Sequence, residues 1–282
     1  MNIIFFGSSK YSAIVAKSIY DLFGLRTIIT LPDRIGNRNK ILKNPMKKFA
    51  EEYNIPVISV SKLIDSINQI ASISPDFFVV CDYGKILSEE MLKIPKNGAL
   101  NVHHSLLPKY RGPSPTSTTI INSETESGVT IIEMSKKMDA GDILSQENYR
   151  LEPDETNESL LTKLNIIGSK LIIRVLENYN KIVPIKQNEN EATYTKMIKK
   201  ENGYIDISAP KNKNELDCMI RAYYPWPGVH TKLEIKKGEI KIIKLLPNQM
   251  IQMEGKKPMN YKDFINGYSI GKEILEKLQL FS

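Results

Sequence analysis

Through residue 180 the hydrophobic positions form short solid runs, separated by longer stretches with helical spacing. Residues 2–6 are a solid apolar run closed by Gly7. Residues 13–22 then place apolar side chains three and four apart, which predicts a helix. The alternation continues: strand-like runs at 25–31, 55–60, 77–81 and 98–102, with helical patterns at 44–53 and 63–71. Residues 128–134 resume the β pattern after a turn-rich stretch, and 157–179 repeat apolar positions every three to four residues. Solid apolar strands are buried on both faces, and helices between them supply the cover. The pattern predicts an α/β fold with a mostly parallel open sheet and helices on both faces.

After residue 180 the texture changes. The stretch KQNENEA sits in a polar segment that reads as a linker. Beyond it come one short helix at 213–221 and two alternating runs, 230–234 and 239–245, flanking KKG as a plausible hairpin. The expected domains are 1–185, a linker at 186–202, and a small β domain at 203–282.

Composition narrows the class. Of the 282 residues 41% are hydrophobic and 25% charged, which excludes a mostly disordered chain. No apolar run approaches the roughly 18 residues that span a bilayer, and the opening residues do not resemble a secretory signal. No membrane association is expected. Two cysteines cannot build a disulfide framework or a Cys-rich zinc site, so a reducing cytoplasm is expected. The net charge is +7. It is concentrated in residues 31–50, which hold six basic residues against one acidic, and in the last hundred residues. Such an excess permits an anionic partner without naming one.

The richest segment follows the strand at 98–102. Asn101 and His103 are two apart, so an extended backbone points both to one face. The carboxyl end of a strand is the usual ligand position in open α/β sheets. If the run at 128–134 pairs beside that strand, Asp139 in the loop after it comes near the imidazole. Such a trio could transfer an acyl group to an amine. His103 would act as general base, Asp139 would support the imidazolium, and Asn101 would donate to an oxyanion. No metal is required, and three histidines, two of them adjacent, do not suggest a metal site. The same spacing also fits a purely structural strand end followed by a turn.

At these residues the chain resembles the formyltransferase family that uses 10-formyltetrahydrofolate. The family pattern is Asn-x-His, then SLLP-x-Y-x-G, then an Asp 38 positions after the Asn. Asn101, His103, Ser105, Leu106, Leu107, Pro108, Arg111, Gly112 and Asp139 match it. Further stretches resemble the branch whose acceptor is initiator methionyl-tRNA. They are Pro32-Asp33-Arg34, Arg38-x-Lys40, Tyr83-Gly84-Lys85-Ile86-Leu87, Tyr223-Tyr224-Pro225-Trp226-Pro227-Gly228, and Gly255-Lys256-Lys257-Pro258-Met259.

The resemblance implies a catalytic trio of Asn101, His103 and Asp139, with 10-formyltetrahydrofolate as co-substrate. The folate would lie against Tyr83, Gly84, Lys85, Ile86 and Leu87, the Ser105–Pro108 turn, and Met138, Ala140, Gly141 and Asp142. Arg34, Arg38, Lys40 and Lys43 would contact initiator methionyl-tRNA. DNA is not an expected partner, a monomer is expected, and the reaction would be cytoplasmic, of bacterial or organellar type. The C-terminal domain would be a shortened OB-type barrel. The rival reading is a formyltransferase for a small amine such as an amino-sugar nucleotide or a glycinamide ribotide. A third is a non-catalytic tRNA- or folate-binding relative. His104 is expected to be a surface neighbour of the site, and the aromatic run at 223–226 to pack rather than bind.

Overall fold

A computed structural model of the chain describes residues 1–36, 39–209, 211–236 and 239–280. It divides into two compact units. The first comprises residues 1–115, 127–150 and 161–195; the second, residues 116–126, 151–160 and 196–282.

In chain order, the elements through residue 178 are β1 (Ile3–Phe6), α1 (Ser12–Phe23), β2 (Thr27–Thr30), β3 (Arg34–Ile35), β4 (Ile41–Leu42), α2 (Pro45–Glu52), β5 (Val57–Ser59), α3 (Ile67–Ser72), β6 (Phe77–Val80), α4 (Glu89–Leu92), β7 (Ala99–His103), α5 (Pro115–Ile121), β8 (Glu126–Glu133), β9 (Ile143–Arg150) and α6 (Asn157–Asn178). Seven of the strands make one sheet, ordered β5-β2-β1-β6-β7-β8-β9. From β5 to β7 every pairing is parallel, and β8 runs antiparallel to β7. The predicted mostly parallel sheet is therefore present.

Strand order reverses between β1 and β6, so the crevice outside their carboxyl ends is the place for a ligand. The solid apolar strands are buried on both faces: Ile4, Phe6, Ile29 and Phe78 pack into one core with Met91 and Tyr83. The strand β9 escaped the sequence pattern because its apolar residues do not alternate; only Leu144 is buried along it.

Within residues 31–50, expected to hold a basic loop, β3 and β4 pair antiparallel, Arg34 with Leu42 and Ile35 with Ile41, on a fastened base. Asn44 caps α2 by accepting from the Met46 N–H, accepts from the Thr30 hydroxyl, and donates to the Leu31 carbonyl. The hairpin carries Ile35, Ile41 and Leu42 on exposed positions, which the charge pattern did not reveal.

The second unit contains α7 (Lys213–Ala222), β10 (Val229–Lys236), β11 (Glu239–Leu246), β12 (Met250–Met253), β13 (Met259–Asn260), α8 (Tyr261–Gly267) and α9 (Gly271–Lys277). The expected hairpin is β10 with β11, and the sheet continues antiparallel through β12 and β13. Its turn at Lys237 and Gly238 lies outside the described residues. The two short helices were not foreseen; Phe264 and Leu275 on them are fully buried beside Leu216, Ile243 and Ile251. Among the described residues no helix is long and apolar enough to cross a membrane.

Candidate active site

The antiparallel β7–β8 pairing sets His103 opposite Thr130 and Asn101 opposite Ile132, so the loop after β8 leaves beside Ala99 and Leu100, and Asp139 on it reaches back to the Asn101 and His103 side chains. Asp139 on that loop takes a left-handed backbone, φ 51°, a region costly for a residue other than glycine. Its carboxylate faces three groups. Oδ2 accepts the Gly112 backbone N–H at 2.8 Å. Oδ1 accepts from Asn101 Nδ2 at 3.3 Å and lies 3.7 Å from His103 Nδ1. The three residues picked from spacing thus converge.

The imidazole is held from its other side. His103, only 5% exposed, places Nε2 3.0 Å from the Tyr110 carbonyl oxygen. A carbonyl can only accept, so Nε2 carries the proton of the neutral ring and Nδ1 keeps the lone pair. The nitrogen free for chemistry is therefore Nδ1, on the Asp139 side. The Tyr110 carbonyl thus holds the ring from one side, and Asp139 lies 3.7 Å from Nδ1 on the other, beyond hydrogen-bond distance.

The segments expected to hold a folate are partly anchors. Tyr83 and Leu87 are buried in the core, and the Tyr83 ring meets Phe6 edge-on at 5.4 Å. Burial pushes the Tyr83 hydroxyl up to about 12. Gly84, Lys85 and Ile86 between them are exposed, Gly84 with φ 80°. Ser105 and Leu107 are also buried. The Ser105 hydroxyl donates to the Lys109 carbonyl, and the Leu107 N–H donates to Thr130 Oγ1. Leu106 and Pro108 are half-buried. Met138 is exposed, Ala140 and Asp142 are half-buried, and Gly141 is buried against Glu133.

His104 corrects an expectation. It is buried, not superficial, with Nδ1 3.5 Å from Asp82 Oδ1. Burial pushes its pKa below the usual value against the pull of Asp82, so it rests neutral. Asp82 in turn accepts from the Ser9 hydroxyl at 2.9 Å. Atoms of Cys81, Asp82 and His104 able to bind a metal lie within 4.8 Å of one another. Cys81, a buried free thiol as expected, has its pKa pushed well up by that burial.

Of the residues expected to meet tRNA, Arg34 and Lys40 are exposed on the hairpin and Lys43 is exposed at its base, paired with Glu51. Arg38 lies outside the described residues.

Sequence reasoning missed the strap, residues 187–195, that fastens onto Arg111. Arg111 is fully buried. Its backbone N–H donates to the Thr193 carbonyl, and the Arg111 carbonyl accepts from the Thr195 N–H. Its guanidinium donates to Gln187, Glu189 and the Tyr194 hydroxyl. Arg111 and then Lys137 hold the Glu189 carboxyl down at about 2. A carboxylate depressed in the folded state keeps its pairing at neutral pH and loses it only as pH falls through that folded value. The strap therefore stays fastened at neutral pH. Its one available signal was Arg111, a cation in a motif that needs buried partners.

Comparison with known proteins fits this geometry. The formyl transferase family matches residues 1–176, and the formyl transferase C-terminal domain matches 197–250. A methionyl-tRNA formyltransferase from Caldicellulosiruptor saccharolyticus is 34% identical, covering 96% of this chain and 98% of its own. The solved methionyl-tRNA formyltransferase from Clostridium thermocellum has a TM-score of 0.60 at 18% identity, covering 92% of this chain and 96% of its own. An N-formyltransferase from Helicobacter canadensis, solved with folinic acid and dTDP-3-aminofucose, has a TM-score of 0.61 at 21% identity, covering 79% of this chain and 80% of its own. Matched over nearly its whole length, the chain belongs to the formyl transferase family, in its methionyl-tRNA formyltransferase branch.

Proposed function

We propose that the chain transfers the formyl group of 10-formyltetrahydrofolate to the α-amine of methionine carried on initiator tRNA. The observation that carries this reading is the convergence of Asn101 Nδ2, His103 Nδ1 and Asp139 Oδ1 at the carboxyl end of β7, in a chain whose full-length relatives bear that activity. The neutral amine attacks the formyl carbon. Asn101 uses one amide hydrogen on Asp139 and keeps the second for the developing oxyanion. His103 takes the amine proton on Nδ1, and the Asp139 carboxylate stabilises the imidazolium. As the tetrahedral intermediate collapses, the C–N bond to N10 breaks and Nδ1–H returns the proton to that nitrogen.

Exposed Gly84, Lys85 and Ile86, with the backbone of Met138, Ala140, Gly141 and Asp142, are assigned to the folate; Tyr83 and Leu87 anchor the first of these loops. Arg34, Lys40 and Lys43 are assigned to acceptor-stem phosphates, as is Arg38 by its place in the sequence motif. The single chain is taken as the working unit, acting in the cytoplasm or an organelle where aminoacyl-tRNA is made.

The hairpin assignment has a direct test. Arg34→Ala and Lys40→Ala are expected to raise KM for tRNA several-fold and leave kcat near its starting value. Each substitution should reduce the slope of log affinity against log salt by about 1, because one fewer phosphate is neutralised. Steady-state kinetics across a salt series measure both, and an unchanged slope in both variants removes the hairpin from the tRNA site.

No metal takes part in this mechanism. Dialysis against a chelator is expected to leave the transfer rate unchanged. A decline restored by added zinc would contradict this and make Cys81, Asp82 and His104 a metal site.

A further inference from the structure

Asp139 and the Gly112 N–H that holds it sit on two loops, one after β8 and one after β7. Neither residue lies in a helix or strand that would fix it. Gln187, from the polar stretch that reads as linker, bridges the two loops. Its Oε1 accepts from Arg111 Nε at 3.0 Å and Nη2 at 2.8 Å. Its Nε2 donates to the Asp139 carbonyl at 2.8 Å and the Gly141 carbonyl at 2.7 Å. All four hydrogen-bonding valences of the side-chain amide are therefore used.

The two ends act on the same contact. Arg111 immediately precedes Gly112, whose N–H holds Asp139 Oδ2. The Asp139 carbonyl belongs to the residue whose left-handed backbone aims Oδ1 at Asn101 and His103. A side chain that fixes Arg111 at one end and the Asp139 peptide at the other fixes where that carboxylate points. Arg111 cannot drift in response, because its backbone is bracketed by Thr193 and Thr195. Displacing a catalytic group by about 1 Å can cost about 100-fold in rate.

We infer that Gln187 is a positioning residue for formyl transfer, acting by holding the Asp139 loop against Arg111 so that the carboxylate meets His103 and Asn101. The inference rests on the reading that Asn101, His103 and Asp139 carry out the transfer.

Two substitutions separate the two ends of the amide. Gln187→Met keeps the length and removes every hydrogen bond. Gln187→Glu keeps an acceptor for Arg111 but loses both donors to the loop carbonyls. Both are expected to lower kcat by about 10- to 100-fold while KM for tRNA and for the folate stays within about twofold. The loss should therefore fall on kcat alone. A merely structural lesion would weaken the binding of both substrates along with the rate. Combined with Asp139→Asn, Gln187→Met should add little further loss, because both changes remove one function. A normal kcat in both Gln187 variants beside an impaired Asp139→Asn would overturn the inference alone, as would losses that simply multiply in the double variant. Full activity in Asp139→Asn would instead overturn the reading of the trio beneath it. Should Gln187→Met fail to fold, Gln187→Glu with the same double-variant comparison decides.

Discussion

Asp139→Asn is expected to lower kcat by about 100- to 10,000-fold, with tRNA and folate affinities changed by no more than about twofold. The amide is the same size, and its oxygen can still accept the Gly112 N–H that holds Oδ2 at 2.8 Å, so the loop should stay in place. What is lost is charge. His103 Nδ1 lies 3.7 Å from Oδ1 in a pocket where the ring is 5% exposed. An imidazolium forming there has little water to stabilise it and depends on that carboxylate. Asn101 also loses its charged acceptor, so its amide is free to turn. Single-turnover formylation at saturating substrates measures the chemical step apart from binding. A rate unchanged by the substitution would mean that no positive charge develops on His103 and that the proton leaves by another route.

Gly141→Ala is expected to damage both stability and rate. A Cβ at this position would stand 1.7 Å from the Glu133 carbonyl oxygen and 2.9 Å from its carbonyl carbon. Those are backbone atoms of β8, and Glu133 is tied by its N–H to the Asp142 carbonyl at 3.0 Å. The strand cannot step aside, so the loop must, and the loop carries Asp139. Overpacking of this kind costs about 1–3 kcal/mol, which for a domain of this size lowers Tm by about 2–4 °C for each kcal/mol. Gly267→Ala is the matching control. Nothing lies within 4 Å of the Cβ it would gain, so it should lower neither Tm nor kcat. Thermal unfolding followed by kinetics on the folded fraction reads both effects; equal Tm and kcat in the two variants would refute the steric clash.

What was legible in the sequence divides by the kind of interaction. The parallel sheet was legible because Ile3–Phe6 and Phe77–Val80 are solid apolar runs, and only strands covered on both faces read that way. The meeting of Asn101, His103 and Asp139 followed from period-two geometry and one antiparallel pairing.

The Tyr110 carbonyl that fixes the imidazole tautomer had no signature, since every residue has a carbonyl. Gln187 was invisible for the opposite reason: a polar side chain among polar neighbours reads as solvated until a buried arginine is found beneath it. His104 read as a surface residue because its burial depends on Asp82, which is distant in sequence and adjacent only once β6 and β7 pair. In the second unit the alternating residues of β10 and β11 announced a sheet. The seven-residue helices Tyr261–Gly267 and Gly271–Lys277 are too short for periodicity to register.

The acceptor is decided by one assay: formyl transfer from 10-formyltetrahydrofolate to charged initiator methionyl-tRNA, with an amino-sugar nucleotide and glycinamide ribotide present as competing acceptors. Rapid formylation of the methionyl-tRNA alone, weakening as salt is raised, is the expected result. Formylation of a small amine with none of the tRNA would contradict the proposed function.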